Sequence, residues 1–256
     1  MFVFTNLLSH QLSNRAVGVF EMGRVSVKTI VTTATTGCLK ALFLSDVAHA
    51  SAWTLPKNAG YQSLNVGYER GDFGKNWRQD SYLEFGMTDD WTVTGKMETV
   101  WRAEANYNDR SSGQIGAKRE IWSKDAWHMT AQSTVYVGEK LDDQSCGGFG
   151  GEFGVAAGYS QGWKNSKLYG FAEIATGARQ GCEHVTVDAV VGYQPDEKWD
   201  VQVKAFSEQY PGREFAKLEV GVSRRFGKSY MGVGMRQEMS GAFEENSVFM
   251  SIWKQF

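Results

Sequence analysis

The stretch His184-Val-Thr-Val-Asp-Ala-Val-Val-Gly-Tyr193 decides the fold. Val185, Val187, Ala189, Val191 and Tyr193 share one side of an extended chain while Thr186, Asp188 and Gly192 share the other, the period-two signature of a strand apolar on one face. The pattern returns in Trp199-Asp-Val-Gln-Val-Lys-Ala205, where Trp199, Val201, Val203 and Ala205 oppose Asp200, Gln202 and Lys204. It returns again in Lys217-Leu-Glu-Val-Gly-Val-Ser223.

Working outward from these runs, turn residues such as Thr88-Asp-Asp90, Ser123-Lys-Asp125, Pro195-Asp-Glu-Lys198 and Gly227-Lys-Ser229 punctuate the chain from residue 60 to its end. They leave about twelve strands, near 60–71, 77–87, 91–105, 112–123, 127–139, 150–161, 166–178, 184–194, 199–209, 215–226, 229–240 and 246–256. At roughly 10 to 12 residues each, such strands fit a bilayer crossing at a tilt of about 45°. There is no helix periodicity and no linker, so residues 53–256 read as one all-β domain of consecutive antiparallel hairpins, with ten or fourteen strands as the neighbouring solutions.

Composition removes several function classes. The 256 residues carry 27 Lys+Arg against 29 Asp+Glu, a net charge of −2 that lacks the positive excess a phosphate-tracking protein needs, so no nucleic-acid partner is expected. Mean hydropathy is −0.39, and after residue 52 no run approaches eighteen apolar residues, which excludes a helical membrane bundle. Alternating strands escape that exclusion, because a barrel strand is apolar on one face only.

The first fifty-two residues differ from the rest. Met22 opens a second start, Arg24 and Lys28 form a basic region, Ile30 to Leu44 is mostly apolar though interrupted by Lys40, and Ala48-His49-Ala50 and Ala50-Ser51-Ala52 have the small-x-small form of a cleavage site. Residues 22–52 therefore read as a secretory signal peptide, with a short buried or amphipathic helix as the other reading, and 1–21 as an upstream extension. Export leaves Cys146 and Cys182 in an oxidising compartment, in loops on the same rim, where they are candidates for one disulfide.

A soluble barrel also alternates, so its lipid-facing counterpart needs further support. Twelve up-and-down strands of this length enclose more space than an apolar core fills. The face opposite the apolar one carries Lys96, Glu98, Arg102, Lys118, Glu120, Lys204, Lys217, Glu219, Arg236 and Glu238, as a wet lumen with charges paired across strands requires. Trp91, Trp122, Trp127, Trp163 and Trp199 all flank turns on one side, the layout of an interfacial girdle. The chain ends Val248-Phe-Met-Ser-Ile-Trp-Lys-Gln-Phe256, with Val248, Met250, Ile252 and Phe256 on one face.

That last strand resembles the C-terminal assembly signal of bacterial outer-membrane β-barrel proteins, which end in Phe after alternating apolar residues; Lys254 departs from the pattern, at a position commonly apolar. Ala52-Trp-Thr-Leu-Pro-Lys57, with Gly60, Tyr61 and Leu83-Glu-Phe-Gly-Met-Thr-Asp-Asp-Trp91, resembles a poorly characterised family of proteobacterial outer-membrane barrels that open Ala-Trp-Thr-Leu-Pro. The resemblance implies a closed transmembrane barrel in the outer membrane with both termini periplasmic. It also implies contact with outer-membrane lipid and lipopolysaccharide, delivery by the barrel-assembly machinery through Phe256, and a loose association with transport or surface-polymer export. It brings no catalytic residues.

Few residues point to catalysis. There is no Gly-x-Ser-x-Gly elbow; His128 reads as an interfacial imidazole, and His184 beside Thr186 is a weak base-and-nucleophile pair. Cys146, Cys182 and His184 make a poor metal set, and no cofactor or metal is expected. Tyr82, Tyr136, Tyr169, Phe171, Phe206, Phe249 and Trp253 point inward and narrow the lumen, while the connectors are too short to plug it. The leading expectation is a narrow channel for small hydrophilic solutes. A sealed barrel serving as a structural, adhesion or export accessory comes second, and a lipid-modifying enzyme third.

Overall fold

The computed structural model describes residues 52–71, 74–103, 109–138, 148–179, 182–241 and 245–256. Apart from Ala52, the segment expected to be an upstream extension and signal peptide lies outside the described residues, as do Glu104, Asp142, Asp143 and Cys146.

Among the described residues there are twelve strands: β1 (Gly60–Gly71), β2 (Gly74–Gly86), β3 (Trp91–Arg102), β4 (Arg110–Lys124), β5 (Trp127–Gly138), β6 (Phe149–Trp163), β7 (Ser166–Arg179), β8 (Cys182–Gln194), β9 (Trp199–Tyr210), β10 (Arg213–Phe226), β11 (Ser229–Ser240) and β12 (Asn246–Gln255). Each pairs antiparallel with the next, and β12 closes on β1 in the register Tyr61↔Gln255 to Arg70↔Asn246. Closure leaves no strand edge, which is the condition for β structure in hydrocarbon, where unpaired backbone groups find no water. The ring is tied once more where Gly60 and Phe256 exchange N–H···O bonds of 2.7 and 2.9 Å.

The turns around 87–90, 125–126, 164–165, 195–198 and 227–228 lie at the end where the described chain starts and stops, called the terminal end below; the opposite rim is the loop end. Asp125 (φ 54°) and Lys164 (φ 54°) provide the left-handed turn residue that two-residue hairpins demand.

The period of two read from the sequence sorts the wall. Ile115, Val191, Met235 and Met250 are at least 60% exposed on the outside, while Glu84, Thr92, Lys118, Tyr169 and Asp200 on the inside are 2% exposed or less. The molecule is thus apolar outward and polar inward, the inverse of a soluble barrel. At Glu120/Trp122 a bulge adds one residue to β4, and Ile121 and Trp122 are both exposed.

The barrel lumen as candidate functional site

All ten charged residues singled out in the sequence stand on lumen positions of their strands, and many of them meet. In register, Lys204 faces Glu219 and Glu219 faces Arg236 on three consecutive strands. Lys204 Nζ lies 2.8 Å from Glu219 Oε1, and Arg236 donates to Glu219 Oε2 from Nε at 3.0 Å and Nη2 at 2.8 Å. Glu98 is held by Arg78 Nη2 at 2.7 Å. Lys118 Nζ donates to Glu84 Oε1 at 2.7 Å, both side chains being almost wholly buried. Lys217 Nζ bonds Glu245 Oε2 at 2.8 Å, and Glu238 Oε2 accepts the Glu245 N–H at 3.1 Å. Glu120 pairs with His128 Nδ1 at 2.8 Å, so this histidine belongs to the lumen and not to the membrane interface. Lys96 acts electrostatically on Asp188 of β8. Arg102 stands at the loop end of β3, half-buried.

Sequence reasoning missed Arg78 and Asp80, which complete this pattern. Asp80 faces Glu98 in register, and two adjacent carboxylates repel. Arg78 sits between them, 3.1 Å from Asp80 and 2.7 Å from Glu98, with Glu69 at 3.5 Å. The signal was blurred because Gln79 and Ser81, on the other face of β2, are polar too.

At the terminal end the lumen holds a segment of the chain itself. Residues 52–59, just before β1, turn into the mouth: Leu55 is buried among Tyr61, Tyr230 and Trp253, and its N–H donates to Thr92 Oγ1 at 2.7 Å. Trp53 reaches the far wall, edge-on to Phe171 at 6.2 Å and near His128 at 6.3 Å. Two glycines make room, since a Cβ on Gly86 would strike Pro56 O and one on Gly158 would strike Ala52 and Trp53. It is therefore this segment before β1, a strap that sequence reasoning missed, and not a connector, that occupies the terminal end of the lumen. The seven inward aromatics named above all sit on lumen positions; Tyr82 donates to Glu84, and Tyr169 OH to Asp200 Oδ1 at 2.8 Å.

Near the loop end, His184 is buried with Nε2 2.7 Å from Tyr136 OH and 3.1 Å from Glu152 Oε2. Arg179 lies 4.3 Å over the Tyr136 ring. Thr186 Oγ1 faces Glu152 Oε2 at 3.5 Å, so the imidazole is engaged by a phenol and a carboxylate. Among the described residues no cluster of His, Cys, Asp and Glu is arranged to hold a metal ion. Cys182 is disulfide-bonded; Cys146 lies outside the described residues.

Trp91, Trp122, Trp127, Trp163 and Trp199 all lie at the terminal end, each at least 41% exposed. Phe256 is exposed on the same rim, with Lys254 Nζ 5.8 Å from its ring centre.

No family model matches the sequence, and no curated protein matches it. Solved structures do match in fold. The NanC porin superposes with a TM-score of 0.57 at 10% identity, covering 75% of this chain and 98% of that one. The KdgM porin gives 0.56 at 8% identity, covering 76% and 99%. An outer-membrane channel from Pseudomonas putida F1 gives 0.54 at 12% identity, covering 82% and 100%. At such identities the likeness is one of architecture: the chain has the fold of outer-membrane β-barrel porins.

Proposed function

We propose that the protein is an outer-membrane channel for small hydrophilic solutes. The observation that carries this reading is the inversion of polarity across the wall: a lipid-compatible outside, and an inside lined from rim to rim by charged, amide and hydroxyl groups that require water or one another. Two of the structures that share its fold are called porins and a third an outer-membrane channel, which agrees with the reading. Export through residues 22–52 places both termini in the periplasm, the five tryptophans at the inner interface among lipid headgroups, and Phe256 where the assembly machinery reads it. Lipopolysaccharide then surrounds the loop end.

A second reading is favoured by the strap. With residues 52–59 in the terminal mouth and most lumen charges paired, the barrel is also built as a sealed scaffold for adhesion or polymer export. The opening Ala52-Trp-Thr-Leu-Pro56, which forms this strap, is the part that resembles the barrel family loosely tied to such roles.

Single-channel conductance of protein purified from outer membranes separates the two. Discrete ion-selective steps support the channel; silence from protein that shows the heat-modifiable gel mobility of a folded barrel supports the scaffold.

A further inference from the structure

One recess of the lumen wall is left open by the ion-pair network. At mid-barrel Gly221 on β10 and Gly232 on β11 take lumen positions beside Ser223 and Ser251, so nothing longer than a hydroxymethyl group rises from that stretch. The cavity this leaves is about 80 Å³, room for several ordered waters. Phe249 walls it toward the loop end, its ring lying over Gly234. Trp253 and Tyr61 wall it toward the terminal end, and Trp253 is locked by a parallel stack on Tyr230 at 3.8 Å. Asn65 on β1 and Gln202 on β9 flank the opening.

Three features define what fits. At the rim Lys204 is held on Glu219 at 2.8 Å, and Asp200 is wholly buried, accepting from Tyr169 and from Gln202 Nε2 at 2.6 Å, so the groups left to meet a solute are chiefly hydroxyls, amides and aromatic faces. The Ser223 hydroxyl lines the recess, is 7% exposed as a residue, and its Oγ has no hydrogen-bond partner. A buried hydroxyl without a partner is a group in want of one. Finally, aromatic faces set against hydroxyl and amide groups match the two surfaces of a polyhydroxylated molecule, its C–H edges and its O–H groups.

We propose that this recess binds a small neutral polyol, between glycerol and a monosaccharide in size. The proposal rests on the channel reading, whose solute class it names.

The test is saturation-transfer NMR on the detergent-purified protein with glycerol and glucose, and with galacturonate and glucosamine as charged comparators. Transfer to the neutral compounds is expected, with affinity falling about tenfold in Ser223→Val and binding lost in Gly221→Leu, which fills the space. Should Gly221→Leu fail to fold, as judged by heat-modifiable mobility, Ser251→Ala, which removes a lining hydroxyl without adding bulk, takes its place, with affinity falling about tenfold. Absence of transfer to either neutral compound, unchanged binding in the folded variants, or tighter binding of a charged comparator overturns the site. Binding is read without any current, so binding by a silent barrel overturns the channel alone, and conductance without binding overturns the site alone.

Discussion

Arg236 on β11 reaches Asp80 on β2, with 3.8 Å between Nη2 and Oδ2, although β12 and β1 stand between those strands in the wall. The guanidinium crosses beside Phe249 of β12, 5.9 Å from its ring centre, where Ser247 on the same strand and Gly67 on β1 leave room. It joins two local clusters into one belt of alternating sign, Glu98, Arg78, Asp80, Arg236, Glu219 and Lys204, which runs from β3 round to β9. Opposite charges alternate along it at hydrogen-bonding or near-contact distance, so the belt sets the field that a permeating ion meets.

Arg236→Ala cuts the belt at its crossing and leaves Glu219 to Lys204 and Asp80 to Arg78. One positive charge is lost from mid-lumen, and the reversal potential in a salt gradient shifts toward cation preference. Arg102→Ala shifts it in the same direction from the loop end. Unchanged reversal potentials in both variants of a conducting barrel count against a selectivity role for these residues.

Lys118 and Glu84 form a pair that is nearly water-free. Lys118→Met strands a buried carboxylate and costs about 3–5 kcal/mol, whereas the double variant Lys118→Met/Glu84→Gln removes both charges and recovers most of that loss. Urea unfolding of the three proteins in detergent, followed by tryptophan emission, measures the difference. Equal loss in the single and double variants shows that the pair acts through packing alone.

The fold was legible because lipid and lumen impose one period on every strand, so that Val185 to Tyr193 already announces which side faces which solvent. The twelve strands and the inward set from Lys96 to Glu238 follow from it. Arg78 and Asp80 escaped because β2 is polar on both faces near them, and a period-two argument needs contrast. The strap escaped for another reason: Trp53 and Leu55 contact His128, Phe171 and Trp253, partners far away in sequence, and no local pattern marks a segment that turns into a barrel. Lys118 with Glu84 and Tyr136 with His184 were likewise beyond reach, since pairing between non-adjacent strands depends on side-chain length and lumen width.

If the strap closes the terminal mouth, loosening it raises conductance. Trp53→Ala/Leu55→Ala removes its two anchors, on Phe171 and within the Tyr61, Tyr230 and Trp253 cluster. Conductance is expected to rise several-fold with the heat-modifiable mobility retained, and Gly158→Val, which displaces Ala52 and Trp53 from the opposite side, acts the same way. Identical conductance in all three proteins shows that the path runs elsewhere.

Cys182 opens β8 at the loop end and is disulfide-bonded, and Cys146 falls in the sequence between β5 and β6. We propose that the two are paired, which predicts one cross-linked peptide in a non-reducing digest that is absent from Cys146→Ser. Recovery of Cys182 as a free thiol in wild-type protein, or linked elsewhere, refutes the pairing.

Glu245, in the connection between β11 and β12, responds to acid in a defined direction. Burial pushes its carboxyl up, but Lys217 at 2.8 Å, aided by Arg78 and Arg236, outweighs burial and holds it below its ordinary value of 4.5. A group depressed in the folded state contributes stability that is complete above its unfolded pKa and is lost as pH falls through the folded one. The Glu245 N–H to Glu238 and the Glu238 N–H to Glu245 O, at 3.1 and 2.8 Å, should therefore stay protected from hydrogen exchange at pH 6 and open progressively below about pH 4.5. Lys217→Ala removes the main opposing charge, lets burial dominate, and moves the opening to higher pH. Protection that is flat from pH 6 to 3, or unaltered in Lys217→Ala, means that the ion pair does not hold this connection.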